Sequence, residues 1–413
     1  MINRRKLIAL GPVSAFALFL LGACGGSGVD SPFAIVTLPD NFNGTSYKLG
    51  DHLLGLSGTD QVAFNNGFNH FLTKEDKDDG LGPVFNGESC AQCHAQGAIG
   101  GAGTDLTLTR VTRIGGIRNG QYSDLADLGG PVLQARSLKE FDATYPIPGE
   151  IVPAGAQFVS HRITTPLFGA GLIEAIPDAT IVARTHLKLP DGVAGIANTE
   201  LNPETNLVEV SRFGWKAQHS SLSVFAGDAY LNEMGITTPG FPSENLPQGH
   251  PIGPGLDVKA DPEDDEDVVL FASFMRGLAP PVRALLSVTG KKGEVLFSQV
   301  GCANCHVPAM NTGPNANPAL DNKIVACYSD LLVHHMGPQL ADGIIQGKAT
   351  GDMFRTAPLW GLSKRIFYMH DGRATSFESA VLAHGGEAEK AKQRFISLQM
   401  GNRDALIEFL SSL

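Results

Sequence analysis

A mainly α-helical chain of two tandem domains with long irregular loops is what the sequence predicts, and three observations predict it. The pattern Cys-X-X-Cys-His occurs twice, at Cys90-Ala91-Gln92-Cys93-His94 and at Cys302-Ala303-Asn304-Cys305-His306. Each copy is followed by a similar Pro-containing segment, Arg162-Ile163-Thr164-Thr165-Pro166-Leu167-Phe168-Gly169 and Arg355-Thr356-Ala357-Pro358-Leu359-Trp360-Gly361. Each half then ends on an apolar helical stretch, residues 268–278 before Pro280-Pro281 and residues 402–413 at the chain end.

Composition supports two cores and removes one class of function. The 413 residues are 43% hydrophobic and 18% charged, which suits two folded domains and not a disordered chain. Lys and Arg number 31 against 42 Asp and Glu, a net charge of −11, and no basic cluster stands beyond residue 6. Sequence-independent nucleic-acid binding needs phosphate neutralisation, so nucleic acid is excluded as a partner.

Residues 1–23 read as a leader. Arg4, Arg5 and Lys6 precede an apolar run over residues 7–21 that contains Gly11 and Pro12 and is too short to span a bilayer. Leu21-Gly22-Ala23-Cys24 resembles the lipobox at which bacteria cleave a leader and attach lipid to the new N-terminal Cys. Residues 24–50 then form a tether and N-terminal extension, opening on the Gly/Ser stretch 25–28. The expectation is a periplasmic protein, lipid-anchored through Cys24, at the outer membrane.

The cysteines carry the chemistry. In an exported chain, Cys-X-X-Cys serves a redox dithiol, a zinc half-site or, with His next, covalent attachment of c-type haem. The His decides it: Cys90 and Cys93, and again Cys302 and Cys305, attach to haem vinyl groups, while His94 and His306 bind the two irons from one side. A zinc ribbon would need a short loop between the pairs, whereas 208 residues separate Cys93 from Cys302. Cys327 reads as a buried apolar thiol.

Residues 51–282 are the expected N-terminal haem domain and residues 283–413 the C-terminal one. Before the second motif, Leu296, Phe297 and Val300 share a helical face that stops at Gly301, like the first helix of a cytochrome c; Leu406, Phe409, Leu410 and Leu413 do the same at the end. The Gly/Pro/Asn-rich stretches 189–206 and 237–255 read as loops at the haem edges. Arg373, in His370-Asp371-Gly372-Arg373, offers a planar donor fork to a haem propionate or to an Asp.

The tandem motifs, with Tyr368-Met369-His370-Asp371-Gly372-Arg373-Ala374-Thr375, resemble the bacterial di-haem cytochrome c peroxidase superfamily. Residues 82–86, 165–177, 212–217 and 384–388 are similar to its di-haem oxidoreductase branch, sometimes labelled thiol oxidoreductases, and the likeness runs from residue 55 to residue 413. The resemblance implies two cytochrome-c-like domains and a division of labour, in which a C-terminal low-spin haem passes electrons to an N-terminal haem that meets the oxidant. Its relatives carry a Met after the His-Asp-Gly segment, and His384 stands at the corresponding position, so His384 is the implied sixth ligand; Met336, Met353 and Met369 are the runners-up. No His follows His94 until His161, which leaves the N-terminal iron open. His161 and His186 are the residues that would close it and make the chain a non-enzymatic electron carrier.

The resemblance further implies a distal acid/base, assigned to Glu174, and an aromatic relay between the haems, assigned to Trp215, with Trp360 as packing. It allows a calcium ion between the haems, although the acidic segment 75–79 lacks the spacing of an EF-hand loop. The implied partners are a periplasmic electron donor of small cytochrome or cupredoxin type and, in a third reading, a protein substrate.

Overall fold

The computed structural model describes residues 47–107, 109–257 and 266–413. The leader, Cys24 and the tether up to residue 46 lie outside the described residues. Among the described residues, no helix is long and apolar enough to cross a membrane.

Each half is built on a pair of crossing helices. Ser57 caps Gly58–Leu72 by accepting from the Asp60 amide. Phe64 and Phe71 lie on its buried face and pack on Phe274 of Glu266–Gly277, with ring centres 5.2 and 4.9 Å apart. In the second half, Ser287 caps Val288–Gln299, and Phe297 meets Phe409 of Met400–Ser411 at 5.3 Å. Burying each of these rings contributes about 2–3 kcal/mol.

A glycine sets both crossings. A Cβ on Gly67 would collide with the Leu270 carbonyl, and a Cβ on Gly293 would collide with the Ala405 carbonyl. The two halves thus use one device: the helix before each Cys-X-X-Cys-His motif crosses the closing helix where its own side chain is missing. The closing helices expected near residues 268–278 and 402–413 are both present, as Glu266–Gly277 and Met400–Ser411.

The chain is mixed rather than mainly α, with 33% helix and 15% strand, which corrects the expected fold class. The difference lies largely between the first motif and residue 163. Arg110–Arg118 is the central strand, antiparallel to Phe158–Ile163 over six residue pairs and flanked by Val132–Leu133 and Gln121–Ser123. Its β-branched Val111, Thr112, Ile114 and Ile117 favour an extended chain. Asn119-Gly120, both at positive φ, closes the tight hairpin between paired Arg118 and Gln121.

The loops also differ in use. Asp191 and Val193 of the 189–206 stretch reach the C-terminal cavity. The 237–255 stretch lies instead against the sheet region, where the Gln248 amide donates to the buried Glu150 carboxylate at 2.6 Å.

Segments from either side of residue 282 interlock. Ile196 and Val333 exchange backbone hydrogen bonds of 2.9 and 3.0 Å, and the Arg355 amide donates to the Trp215 carbonyl at 2.8 Å. Asp342, 3% exposed, accepts from Arg162 at 2.7 Å and from Ser160 at 2.8 Å, with Lys216 Nζ at 3.2 Å. Desolvation would raise the Asp342 pKa, but Arg162 and Lys216 hold it below the ordinary carboxylate range.

A low folded-state pKa means that this contribution is present at neutral pH and lost as pH falls through the folded value. Asp342→Asn leaves two cations buried without a counter-charge, and the expected cost is about 3–5 kcal/mol. Urea unfolding of the haem-loaded protein checks it; a midpoint equal to wild type at the same slope would show that the network contributes nothing.

Candidate functional site

Two cavities contain the two motifs. The C-terminal one, about 1440 Å³ of empty space counted to its mouth, is lined by Cys302, Cys305, His306 and His384 among apolar residues such as Phe297, Leu359 and Val381. Gly301, at φ +96°, ends the preceding helix and turns the chain into the short Cys302–Asn304 helix, which delivers His306. His384 follows directly on Phe377–Ala383.

Both imidazoles are fixed the same way. His306 Nδ1 lies 2.9 Å from the Tyr328 carbonyl, and His384 Nδ1 lies 2.7 Å from the Ala380 carbonyl. A carbonyl only accepts, so each Nδ1 carries the proton and each Nε2 keeps a lone pair. Burial, with His384 nearby, pushes His306 down to about 4, and burial lowers His384 as well. The ring centres are 6.4 Å apart. That spacing would leave room for one metal ion between the two rings, at about 2 Å per metal–nitrogen bond. Met336 and Met369 also line the cavity, whereas Met353 does not.

The N-terminal cavity, about 1130 Å³ by the same measure, is lined by Cys90, Cys93 and His94 beside Phe71 and Phe271. His94 Nδ1 donates to the Gly101 carbonyl at 3.1 Å, so the Gly-rich loop after the motif holds the ring. Burial pushes His94 down to about 4. His161 and His186 do not line this cavity; His161 sits on the outer sheet, with Nδ1 3.1 Å from the Thr112 hydroxyl. Besides His94, the histidine that lines it is His219, whose Nε2 is 3.3 Å from Asp228 Oδ2.

All four motif thiols are free, and burial raises the pKa of Cys90, Cys93, Cys302 and Cys305 alike. Cys305, Asp330 and His334 do bring donor atoms within 4.8 Å of one another. His334 is already engaged, with Nε2 3.0 Å from Asp330 and Nδ1 2.9 Å from Glu387.

Trp215 lines both cavities. Its Nε1–H donates to the Ile163 carbonyl at 2.8 Å, and its ring meets His370 edge-on at 6.4 Å. Trp360 lies in the core, beside Gly169 and Pro280. The acidic segment 75–79 is organised by its own backbone: Asp76 Oδ1 accepts from the Asp78 amide, and Asp79 Oδ2 from the Asp76 amide.

Two expected site residues stand elsewhere. Arg373 grips Asp371 through Nε at 2.7 Å and the Gln339 carbonyl through Nη1 at 2.7 Å, and it lines neither cavity. The guanidinium groups that face the C-terminal cavity are Arg355 and Arg365. Arg365 is 9% exposed, its Nε and Nη2 are buried without a hydrogen-bond partner, and burial pushes its pKa down to about 10. A carboxylate-bearing group in the cavity would satisfy these donors, and the apolar lining, paired imidazoles and protonated thiols fit the rest of a haem.

Glu174 is the second correction. Its carboxylate takes Arg276 Nε at 2.6 Å and Nη2 at 3.1 Å, accepts from the Leu222 amide at 2.8 Å, and does not line the N-terminal cavity. It fastens the start of the Leu222–Met234 helix. Glu174→Gln should therefore lower stability by about 1–2 kcal/mol while leaving any reaction at the N-terminal cavity unchanged. Urea midpoints and stopped-flow traces on the same protein check both halves of this expectation.

Comparison with known proteins follows this geometry. No curated protein matches the chain. Similar solved structures include hydrazine synthase of Kuenenia stuttgartiensis, at 16% identity and TM-score 0.37 over 92% of this chain and 99% of that one. The diheme peroxidase BthA of Burkholderia thailandensis is 13% identical, with TM-score 0.41 over 85% and 86% of the two chains. A MauG-like protein associated with microbial copper homeostasis is 16% identical, with TM-score 0.37 over 89% and 93%. Residues 156–413 match the family model described as "Di-haem oxidoreductase, putative peroxidase". That match covers more than half of the chain, which belongs to the di-haem oxidoreductase family.

Proposed function

We propose that the chain is a c-type di-haem oxidoreductase of peroxidase type, in which the C-terminal site passes electrons to an N-terminal site that meets the oxidant. The observation that carries this reading is the asymmetry of the cavities. One presents two neutral imidazoles facing each other, and the other presents His94 with Trp215, Arg113, His219 and Asp228 around it. When bound, the haem pair supplies the two-electron redox chemistry.

The chain's own residues divide the work. Cys90, Cys93, Cys302 and Cys305 hold the group covalently, while His94 and His306 bind the metal through Nε2. His384 would hold the metal in the C-terminal cavity together with His306, which would leave that site closed to oxidant. Arg355 and Arg365 neutralise carboxylates, and Trp215, fixed by its bond to Ile163, is the aromatic bridge between the cavities. The assignment of residues 51–282 and 283–413 to one haem each follows the motifs.

Cys24 lipidation would hold the protein at the periplasmic face of the outer membrane, where a small cytochrome or cupredoxin serves as electron donor. Its oxidant is peroxide; in the alternative reading the haem pair oxidises a group on a partner protein. The carrier reading required His161 or His186 as a ligand, and neither lines the N-terminal cavity.

The deciding experiment is ferric paramagnetic resonance and absorption of protein matured in a periplasm with haem-attachment machinery, before and after one equivalent of hydrogen peroxide. A mixture of high-spin and low-spin haem, with rapid loss of the high-spin signal, is expected. Two low-spin haems indifferent to peroxide, even after half-reduction, would overturn the reading in favour of the carrier. Changing Cys90 and Cys93 together to Ala should leave one covalent haem by mass. His384→Ala should convert the low-spin signal to high-spin, and an unchanged spectrum would remove His384 as ligand.

A further inference from the structure

The N-terminal cavity keeps polar groups that the proposed function has not yet used. His219, 7% exposed, stands on its wall at the start of the loop leading into Leu222–Met234, and Asp228 stands on that helix. Nε2 of His219 lies 3.3 Å from Asp228 Oδ2. The Phe225 ring, 5.5 Å from the imidazole centre, packs against it. Arg113, on the central strand, lines the same cavity with its Nε buried and without a hydrogen-bond partner.

We propose that His219, oriented by Asp228, is the acid/base residue of the N-terminal cavity, moving the proton that peroxide cleavage requires, with Arg113 supplying positive charge beside it. This rests on the reading of that cavity as the oxidant site. The carboxylate accepts Nε2–H, which leaves the lone pair on Nδ1 as the base. His219 takes the proton of the near peroxide oxygen and returns it to the far oxygen. The O–O bond breaks with its electron pair going to the far oxygen, which leaves as water. The haem pair is oxidised by two electrons in all, and two one-electron donors of the cytochrome or cupredoxin class restore it, with two protons from solvent completing the second water.

Three features make the pair fit this task better than the neighbouring carboxylates. Glu174 is consumed by Arg276 and the Leu222 amide. Burial pushes Glu233 up to about 7, but the Asn86 amide already donates to it at 2.9 Å, on the side of the cavity near Cys93. Asp228, by contrast, is held below its ordinary value, because the attraction of His219 and Arg113 outweighs desolvation; it stays an anion that can orient an imidazole. The charged groups facing His219 are Asp228 on its own side and Glu200 from the neighbouring hairpin, while Arg113 faces Asp228 from the sheet.

The test uses the haem-loaded full chain as wild type, His219→Gln and Asp228→Asn. Haem content and the C-terminal low-spin signal are recorded first, so that a folding failure is seen as such. The bimolecular rate of peroxide with the ferric protein is then measured across pH, together with the rate of cyanide association, which needs a base to accept the proton of HCN but no turnover. The expected result is a loss of about 10²–10⁴-fold in the peroxide rate of His219→Gln. It should be accompanied by slower cyanide association and by loss of the acidic limb of the rate profile, and Asp228→Asn should shift that limb. Equal rates in His219→Gln and wild type would overturn the proposal while leaving the oxidant site intact. A change from low-spin to high-spin at the N-terminal haem in His219→Gln would also overturn it, by making His219 a ligand. Wild type inert to peroxide would instead sink the underlying reading.

Discussion

The hydrogen bond from a buried imidazole Nδ1–H to a main-chain carbonyl is the constraint on which the rest of the structure depends. It occurs at His94, His306 and His384, with acceptors Gly101, Tyr328 and Ala380. Burial alone would keep each ring neutral, yet would leave open which nitrogen carries the proton. The carbonyl settles the tautomer and the aim of Nε2 together, and each carbonyl is supplied by a different local device: a Gly-rich loop, a residue at positive φ, and the last turn of a helix. The burial that lowers the His94 and His306 pKa also raises that of the motif thiols.

The walls behind the motifs come from the glycine crossings. At Gly67 and Gly293 the first helix of each half comes so close to the closing helix that Phe71 and Phe274, or Phe297 and Phe409, seal the back of the motif. A larger residue at either point would separate the helices and admit water behind the histidine. The front of each cavity is closed by chain from elsewhere: the sheet strands Arg110–Arg118 and Phe158–Ile163 for the N-terminal one, and residues 333–384 for the C-terminal one. Asp342 ties these two fronts together through Arg162 and Lys216, immediately next to Trp215.

What was legible in the sequence was local. The two motifs and the closing helices depend on short spacings, and the structure has them where those spacings lead; Cys327 is buried as a left-over apolar thiol would be, and His384, singled out only by the family resemblance, lies in the same cavity as His306. Glu174 misled because its carboxylate is claimed by Arg276, 102 positions away, a partner no spacing announces. Arg373 takes the second of the two acceptors its sequence context offered, Asp371 two residues back, and not a group in the cavity. The sheet did have a signal, in Val111, Ile114 and Ile117 followed by Asn119-Gly120, but haem-like packing on both sides drew the reading toward helix. His219 and Arg365 were invisible because nothing but burial distinguishes them from ordinary surface residues.

The two halves share a plan, and what separates them chemically is the segment that reaches the far side of each ligand. In the C-terminal half, a seven-residue helix ends at His384 and places a second imidazole across from His306. In the N-terminal half the cavity is bordered by Thr164 and Thr165, by Trp215, and by His219, whose Nε2 lies 3.3 Å from Asp228. Asp228 orients the His219 ring through Nε2, as the Ala380 carbonyl orients the His384 ring through Nδ1. The tasks proposed for the two histidines, proton transfer at His219 and metal binding at His384, thus go with different nitrogens held by different partners: Nε2 by a carboxylate in the first, Nδ1 by a main-chain carbonyl in the second.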